Sequence, residues 1–153
     1  MSETQLLRVK DVMATRTIRI QYDANMYRAA EVVALSRVSD LMVVGEDDKF
    51  IGVLSEGDIL RAALPDMDAI AAEGGSLDTA FSIFLKKGKD LSGLPILPFV
   101  ITEPIVLDPQ DHVAKAATVM IDLNIRLLPV IKDGKLVGSV SRADVCQAVV
   151  GNS

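Results

Sequence analysis

The chain has 153 residues, half of them apolar and 24% charged, which suits one domain or two small packed halves and is too apolar for a disordered tail. A net charge of −5, 4% aromatic residues and no tryptophan argue against nucleic-acid wrapping and base-stacking surfaces. The single cysteine, Cys146, excludes an internal disulfide and a CxxC metal site.

Met1 to Gln5 lacks the basic and apolar regions of a signal peptide. The longest apolar stretch, Leu94 to Leu107, is too short for a membrane span and contains Pro95, Pro98, Glu103 and Pro104. The expectation is a cytoplasmic protein with no membrane or nucleic-acid partner.

In chain order, the first expected element is a short extended piece from Thr17 to Ile20. An amphipathic helix follows, because Met26, Ala29, Ala30 and Val33 recur at helical spacing. Leu41-Met42-Val43-Val44 is a buried strand, Glu46-Asp47-Asp48-Lys49 a polar turn and Phe50 to Leu54 the returning strand. Gly52 inside that strand marks the close approach of another backbone or a ligand. A short helix opens at Ser55-x-x-Asp58. A linker, 65–94, then carries Pro65, Gly74-Gly75 and a helix start at Ser76-Leu77-Asp78. Ala80, Phe81, Phe84 and Leu85 form a stripe on this helix, and Lys86, Lys87 and Lys89 crowd its end, where cations suit the helix dipole. It is expected to be a solvated connector with one packed face, a partner-docking helix being the alternative.

The same order then returns: Ile105 to Leu107 extended, a helix with Val113, Ala116, Ala117 and Met120 on one face, and the strand Leu127 to Ile131. The turn Lys132-Asp133-Gly134-Lys135 carries a strong Asp-Gly hairpin signal. The strand Leu136 to Val140 with Gly138 follows, then a helix at Ser141-x-x-Asp144. At an offset of 87, Thr15, Ile18, Ala29, Ala30, Val32, Leu41 and Val43 recur as Thr102, Ile105, Ala116, Ala117, Val119, Leu128 and Val130. After one residue is lost in the turn, Asp47, Lys49, Gly52, Ser55, Asp58 and Ala62 recur as Asp133, Lys135, Gly138, Ser141, Asp144 and Ala148. The fold class is α/β: a β-α-β-β-α unit present twice, in 1–64 and 95–153.

Each copy resembles a cystathionine-β-synthase (CBS) domain. Copy one carries Val9-Lys10-Asp11-Val12-Met13, then Arg37-Val38-Ser39-Asp40-Leu41-Met42-Val43-Val44 and Ile51-Gly52-Val53-Leu54-Ser55-Glu56-Gly57-Asp58. Copy two carries Leu128-Pro129-Val130-Ile131-Lys132-Asp133-Gly134-Lys135-Leu136-Val137-Gly138 and Ser141-Arg142-Ala143-Asp144. It departs from the family pattern at Pro98-Phe99-Val100, where an Asp and a Met are usual; Met42 stands where a proline is usual and Asp40 where a small residue is. The resemblance implies two tandem CBS-like units packed through their sheets with pseudo-two-fold symmetry, and pairs that form homodimers. It implies a non-catalytic regulatory module that requires no cofactor and acts on an unidentified regulated protein. Its regulatory ligand would be an adenine nucleotide (AMP, ADP or ATP) or S-adenosylmethionine. The alternative is a ligand-free dimerisation scaffold.

The two Ser-x-x-Asp pairs are the main candidate site residues. A carboxylate accepts two hydrogen bonds from a ribose diol, and the helix N-terminus beside it suits a phosphate. A capping box needs the same spacing and no ligand, and both roles can coexist. By the resemblance, one cleft combines Ser141, Arg142 and Asp144 with Thr15, Thr17, Ser39 and Asp40. The other combines Ser55 and Asp58 with Thr102, Pro104, Arg126 and Leu127. Arg142 beside Ser141 favours a phosphorylated ligand in the first cleft, whereas Glu56 beside Ser55 repels one, although Arg126 could compensate.

His112 is expected to be an ordinary surface histidine, Glu46-Asp47-Asp48 a solvated turn and Cys146 a buried small hydrophobe on the last helix. The helices after each Ser-x-x-Asp are apolar on more than one face, with Ile59, Leu60, Ala62, Ala63 and Leu64 in copy one and Val145, Cys146, Ala148, Val149 and Val150 in copy two, which points to a two-fold homodimer.

Overall fold

The computed structural model describes residues 7–72 and 74–151. Copy one contains β1 (Arg19–Gln21), α2 (Met26–Ser36), β2 (Asp40–Val44), β3 (Phe50–Ser55) and α3 (Glu56–Ala63), after a one-turn helix α1 (Val9–Val12). The linker holds two helices, α4 (Met67–Ala72) and α5 (Leu77–Leu91). Copy two contains α6 (Val113–Asp122), β4 (Leu127–Lys132), β5 (Lys135–Ser141) and α7 (Arg142–Val150).

In copy one, β1 pairs in parallel with β2, and β2 pairs antiparallel with β3. β2 is covered on both faces, which explains its unbroken apolar run: Leu41 and Val43 face one core, Met42 and Val44 another. In copy two the expected first strand shrinks to Leu107, whose N–H donates to Pro129 O at 2.9 Å and whose carbonyl accepts from Ile131 N at 2.8 Å. Pro129 stands where copy one has Met42. It has no N–H to extend the ladder, so the pairing stops there.

Asp133 and Gly134 both have positive φ, 52° and 77°, as a tight hairpin turn demands. In copy one the turn is a 3-10 turn over Glu46–Asp48, with Asp47 and Asp48 at positive φ. Both hairpins slip register at the same point, just past the pairs Val43–Gly52 and Val130–Gly138.

The copies exchange their opening segments. Ala14 N donates to Ser139 O at 2.8 Å and Ser139 N to Ala14 O at 2.9 Å, so the start of copy one edges the sheet of copy two. The pseudo-symmetric bridge joins Ile101 to Val53, with N–H···O distances of 2.9 and 3.0 Å. The cores follow the exchange. Val9 lies with Leu107, Val113, Ala116, Met120, Leu128, Val130, Val140 and Val145. Leu91 and Ile96 lie with Ile20, Met26, Ala29, Leu41, Val43, Leu54 and Ala63. Between the sheets, Met42, Val44, Val53 and Leu136 form a third cluster.

Both strand glycines face the exchanged backbone. A Cβ on Gly52 would lie 2.2 Å from Ile101 O, and one on Gly138 would lie 2.7 Å from Ala14 O.

Two burial expectations change. Ala30 is exposed while Ala29 is buried, because the inner stripe of α2 is narrower than the spacing suggested. Cys146 is exposed, because Val145 is the residue that α7 turns inward. No described helix is long and apolar enough to cross a membrane.

Candidate functional site

Both Ser-x-x-Asp motifs form complete capping boxes. Ser55 Oγ accepts from Asp58 N at 3.0 Å, and Asp58 Oδ2 accepts from Ser55 N at 3.1 Å. Ser141 Oγ accepts from Asp144 N at 3.1 Å, and Asp144 Oδ2 accepts from Ser141 N at 2.8 Å. The spacing that suggested a ligand clamp therefore also fixes the two helix starts.

The second carboxylate oxygens differ. Asp58 Oδ1 accepts from Arg61 at 2.7 Å. Burial opposes ionisation of Asp58, but the bonds from Ser55 and the Arg61 guanidinium outweigh it and hold its carboxyl below the ordinary range. In copy two the residue matching Arg61 is Gln147, and Asp144 Oδ1 has no partner among the described residues.

Besides a cavity of about 390 Å³ that Asp144 lines together with Leu7, Asp11, Val12, Gln147, Ala148 and Gly151, two cavities adjoin these motifs. One, of about 220 Å³, is lined by Ala14, Arg16, Thr17, Ile18, Val38, Asp40, Leu127, Ser139, Ser141 and Asp144. It brings together the expected Thr17, Asp40, Ser141 and Asp144, with Thr17 Oγ1 donating to Ser139 Oγ at 2.6 Å. The other, of about 420 Å³, joins Ser55, Glu56, Gly57, Leu60 and Arg61 to Ser39, Asp40, Asn124, Ile125 and Arg126. Asp40 borders both.

The remaining candidates fall elsewhere. Ser39 lines the larger cavity and Leu127 the smaller, the reverse of the expected assignment. The exposed Thr15 and Thr102 line neither, and Asp58 sits behind Ser55 and Arg61. Arg142 is tied to the end of α6 and the loop after it: it donates to Ile125 O at 2.9 Å, Met120 O at 3.0 Å and Asn124 Oδ1 at 3.1 Å. Its guanidinium caps that loop rather than lining the cleft. Arg142→Ala should lower stability by roughly 1–2 kcal/mol by removing these bonds and leaving the Ile125 carbonyl unpaired, measurable by urea titration. Arg16 is the cation that does line the smaller cavity. The only sequence signal for it was its place between Thr15 and Thr17.

Asp40 begins β2 opposite Ser55 and accepts from Ser39 Oγ at 2.9 Å. Burial raises its carboxyl pKa above the ordinary value. Glu56 and Asp58 add to the rise, while the Ser39 bond and Arg126 oppose it. A carboxyl that binds its proton more tightly in the folded state takes stability away as pH rises through its folded pKa. Asp40→Asn should therefore raise Tm at pH 7, and the gain should shrink towards pH 4. Calorimetric melts of both proteins at the two pH values check this; a lower Tm at pH 7 for the variant would contradict it.

His112 is the half-buried residue at the start of α6, bridged to Arg8. The acidic turn is exposed, and its Asp48 pairs with Arg19 at 3.1 Å. No described group of His, Cys, Asp and Glu has metal-holding geometry.

The CBS-domain profile matches residues 9–65 and 99–151. The chain belongs to the CBS-domain family. It is 26% identical over 157 residues to the Uncharacterized protein MJ1426 of Methanocaldococcus jannaschii, covering 95% of this chain and 93% of that one. It is 32% identical over 131 residues to the CBS domain-containing protein CBSX3, mitochondrial, of Arabidopsis thaliana, covering 84% of this chain and 54% of that protein. The chain thus spans about half the length of the plant relatives it matches. The CBS-pair protein CBSX2 of Arabidopsis thaliana superposes with TM-score 0.77 at 23% identity, covering 96% of both chains. CBSX2 in complex with AMP gives 0.70 at 24%, covering 94% of this chain and 96% of that one. These likenesses show a shared CBS-pair fold.

Proposed function

We propose that this CBS pair is a non-catalytic regulatory module that binds an adenine nucleotide or another adenosyl ligand in the smaller cleft. One observation carries the reading: Asp144, whose Oδ1 has no partner among the described residues, lines a cavity that also holds Thr17, Ser139, Ser141 and Arg16. The capping box fixes this carboxylate, so its free oxygen is oriented before any ligand arrives. A ribose diol supplies the donors it lacks, and Arg16 supplies a cation for a phosphate. That CBSX2 has been solved with AMP supports the ligand class. A homodimer is part of the reading, since Leu60 and Leu64 on α3 and Val149 and Val150 on α7 are exposed.

The second reading is a dimerisation scaffold with empty clefts. The tie of Arg142 to backbone carbonyls and the carboxyl of Asp40 on both cavities favour it, because both disfavour phosphate. Calorimetric titration of AMP, ADP, ATP, adenosine and S-adenosylmethionine decides between the two. Saturable heat with any of them, accompanied by a rise in Tm, supports the module. Silence from all five leaves the scaffold.

A further inference from the structure

The linker helix α5 has two apolar faces. Ala80, Phe84 and Leu91 turn inward, with Phe84 and Leu91 in the copy-one core. Leu77, Phe81 and Leu85 recur every fourth residue on the outside and are 84%, 62% and 56% exposed. α5 packs along α3, and a mostly apolar groove of about 440 Å³ runs between the exposed Leu64 with Pro65 and Leu77, Asp78, Ala80, Phe81 and Phe84. Gly88 continues the stripe one turn further. A glycine inside a helix is less favourable than alanine, and nothing lies within 4 Å of where its Cβ would be. It leaves a notch at the end of the stripe.

The charges beside the stripe identify what covers it. Asp78 lies in the first turn and Lys89 in the last, both exposed and neither ion-paired among the described residues. At 100° per residue they fall about 20° apart around the axis, on the same flank. A two-fold axis that sets α5 antiparallel against its own copy keeps each flank on its side and reverses the direction. It therefore brings Asp78 of each helix to Lys89 of the other, and in that register Phe81 of each helix lies opposite Leu85 of the other and Leu77 opposite the notch at Gly88. A parallel arrangement would face like with like. We propose that the outer stripe of α5 is a self-complementary interface, paired antiparallel with α5 of a second copy of this chain. This rests on the homodimer reading above and specifies the face.

The test is the oligomeric state by sedimentation and light scattering at about 0.05 M salt, where surface ion pairs are least screened. Wild type is expected to dimerise. Phe81→Glu, at an exposed position, should give a folded monomer. Asp78→Lys and Lys89→Asp should each weaken dimerisation several-fold, and the double variant Asp78→Lys/Lys89→Asp should restore it, because the exchange leaves the pairing intact in both copies. Restoration is an outcome that a folding defect cannot imitate, so the charge series stands even if Phe81→Glu unfolds. Single and double reversals that leave dimerisation unchanged would overturn the α5 interface. So would a Phe81→Glu dimer that Val149→Glu on α7 separates, and in that case the homodimer itself survives. A wild-type chain that stays monomeric at tens of micromolar overturns both.

Discussion

Asp144→Asn should weaken AMP by roughly 1.5–3 kcal/mol, about 10- to 150-fold, the range for a hydrogen bond to a charged group. One oxygen of Asp144 accepts from Ser141 N, and its other oxygen has no partner among the described residues. The amide of an Asn offers one acceptor where the carboxylate offers two, so capping and diol binding then compete for it. 2′-Deoxyadenosine monophosphate removes one half of the diol. It should bind wild type more weakly than AMP and lose little further affinity in the variant. Asp58→Asn is the contrast: Arg61 already holds the corresponding oxygen, so the smaller cleft should keep its affinity. Calorimetry on the three proteins with both nucleotides settles the point, and equal affinity of wild type for AMP and its deoxy form would remove the clamp.

Gly52→Ala should have the largest effect on stability, at least about 3 kcal/mol, near the top of what overpacking costs. Its Cβ would lie 2.2 Å from Ile101 O and 2.7 Å from Val100 Cγ1, and backbone held in a two-bond bridge cannot step aside. For a chain of this length the Tm should fall by roughly 6–12 °C. Gly138→Ala is milder: its Cβ would meet Ala14 O at 2.7 Å, while its next neighbour, Met13 Sδ at 2.9 Å, belongs to a flexible side chain. Urea titrations should rank the two in that order. A Gly52→Ala protein that melts within a degree of wild type would show that the exchanged segment is not held where the structure has it.

The repeat, the element order and the fold class were legible because apolar periodicity and turn chemistry are local signals: Asp133-Gly134 announced its hairpin and Ser55-x-x-Asp58 its helix. The exchange of opening segments was not legible. A duplicated sequence looks the same whether Val9 returns to its own half or crosses to the other, and only the glycines, Gly52 and Gly138, hinted at a close backbone. At the candidate site, the residues beside the Ser-x-x-Asp motifs could be named, but the direction of a long side chain could not. Arg142 has the charge and position of a phosphate contact, yet three acceptors in the last turn of α6 and the loop after it lie within its reach. Arg16 carries no motif and enters the cleft only because the exchanged segment brings it there. The burial of Asp40 depends on how the two sheets meet, which no local pattern encodes.

The exchange also sets an order of events on the ribosome. The segment around Val9 and Ala14 is made first, yet the edge it must join, at Ser139, is made almost last. At about 5–20 residues per second the intervening chain takes roughly 6–25 s to synthesise. Throughout that interval Val9, Val12 and Met13 have no core to enter. The first half waits less, since the last buried members of its core are Leu91 in the linker and Ile96 just after it. Copy one has all of its core once Val100 and Ile101 have emerged, whereas copy two closes only after Ser139 and Val145, so copy one should become protease-resistant before copy two.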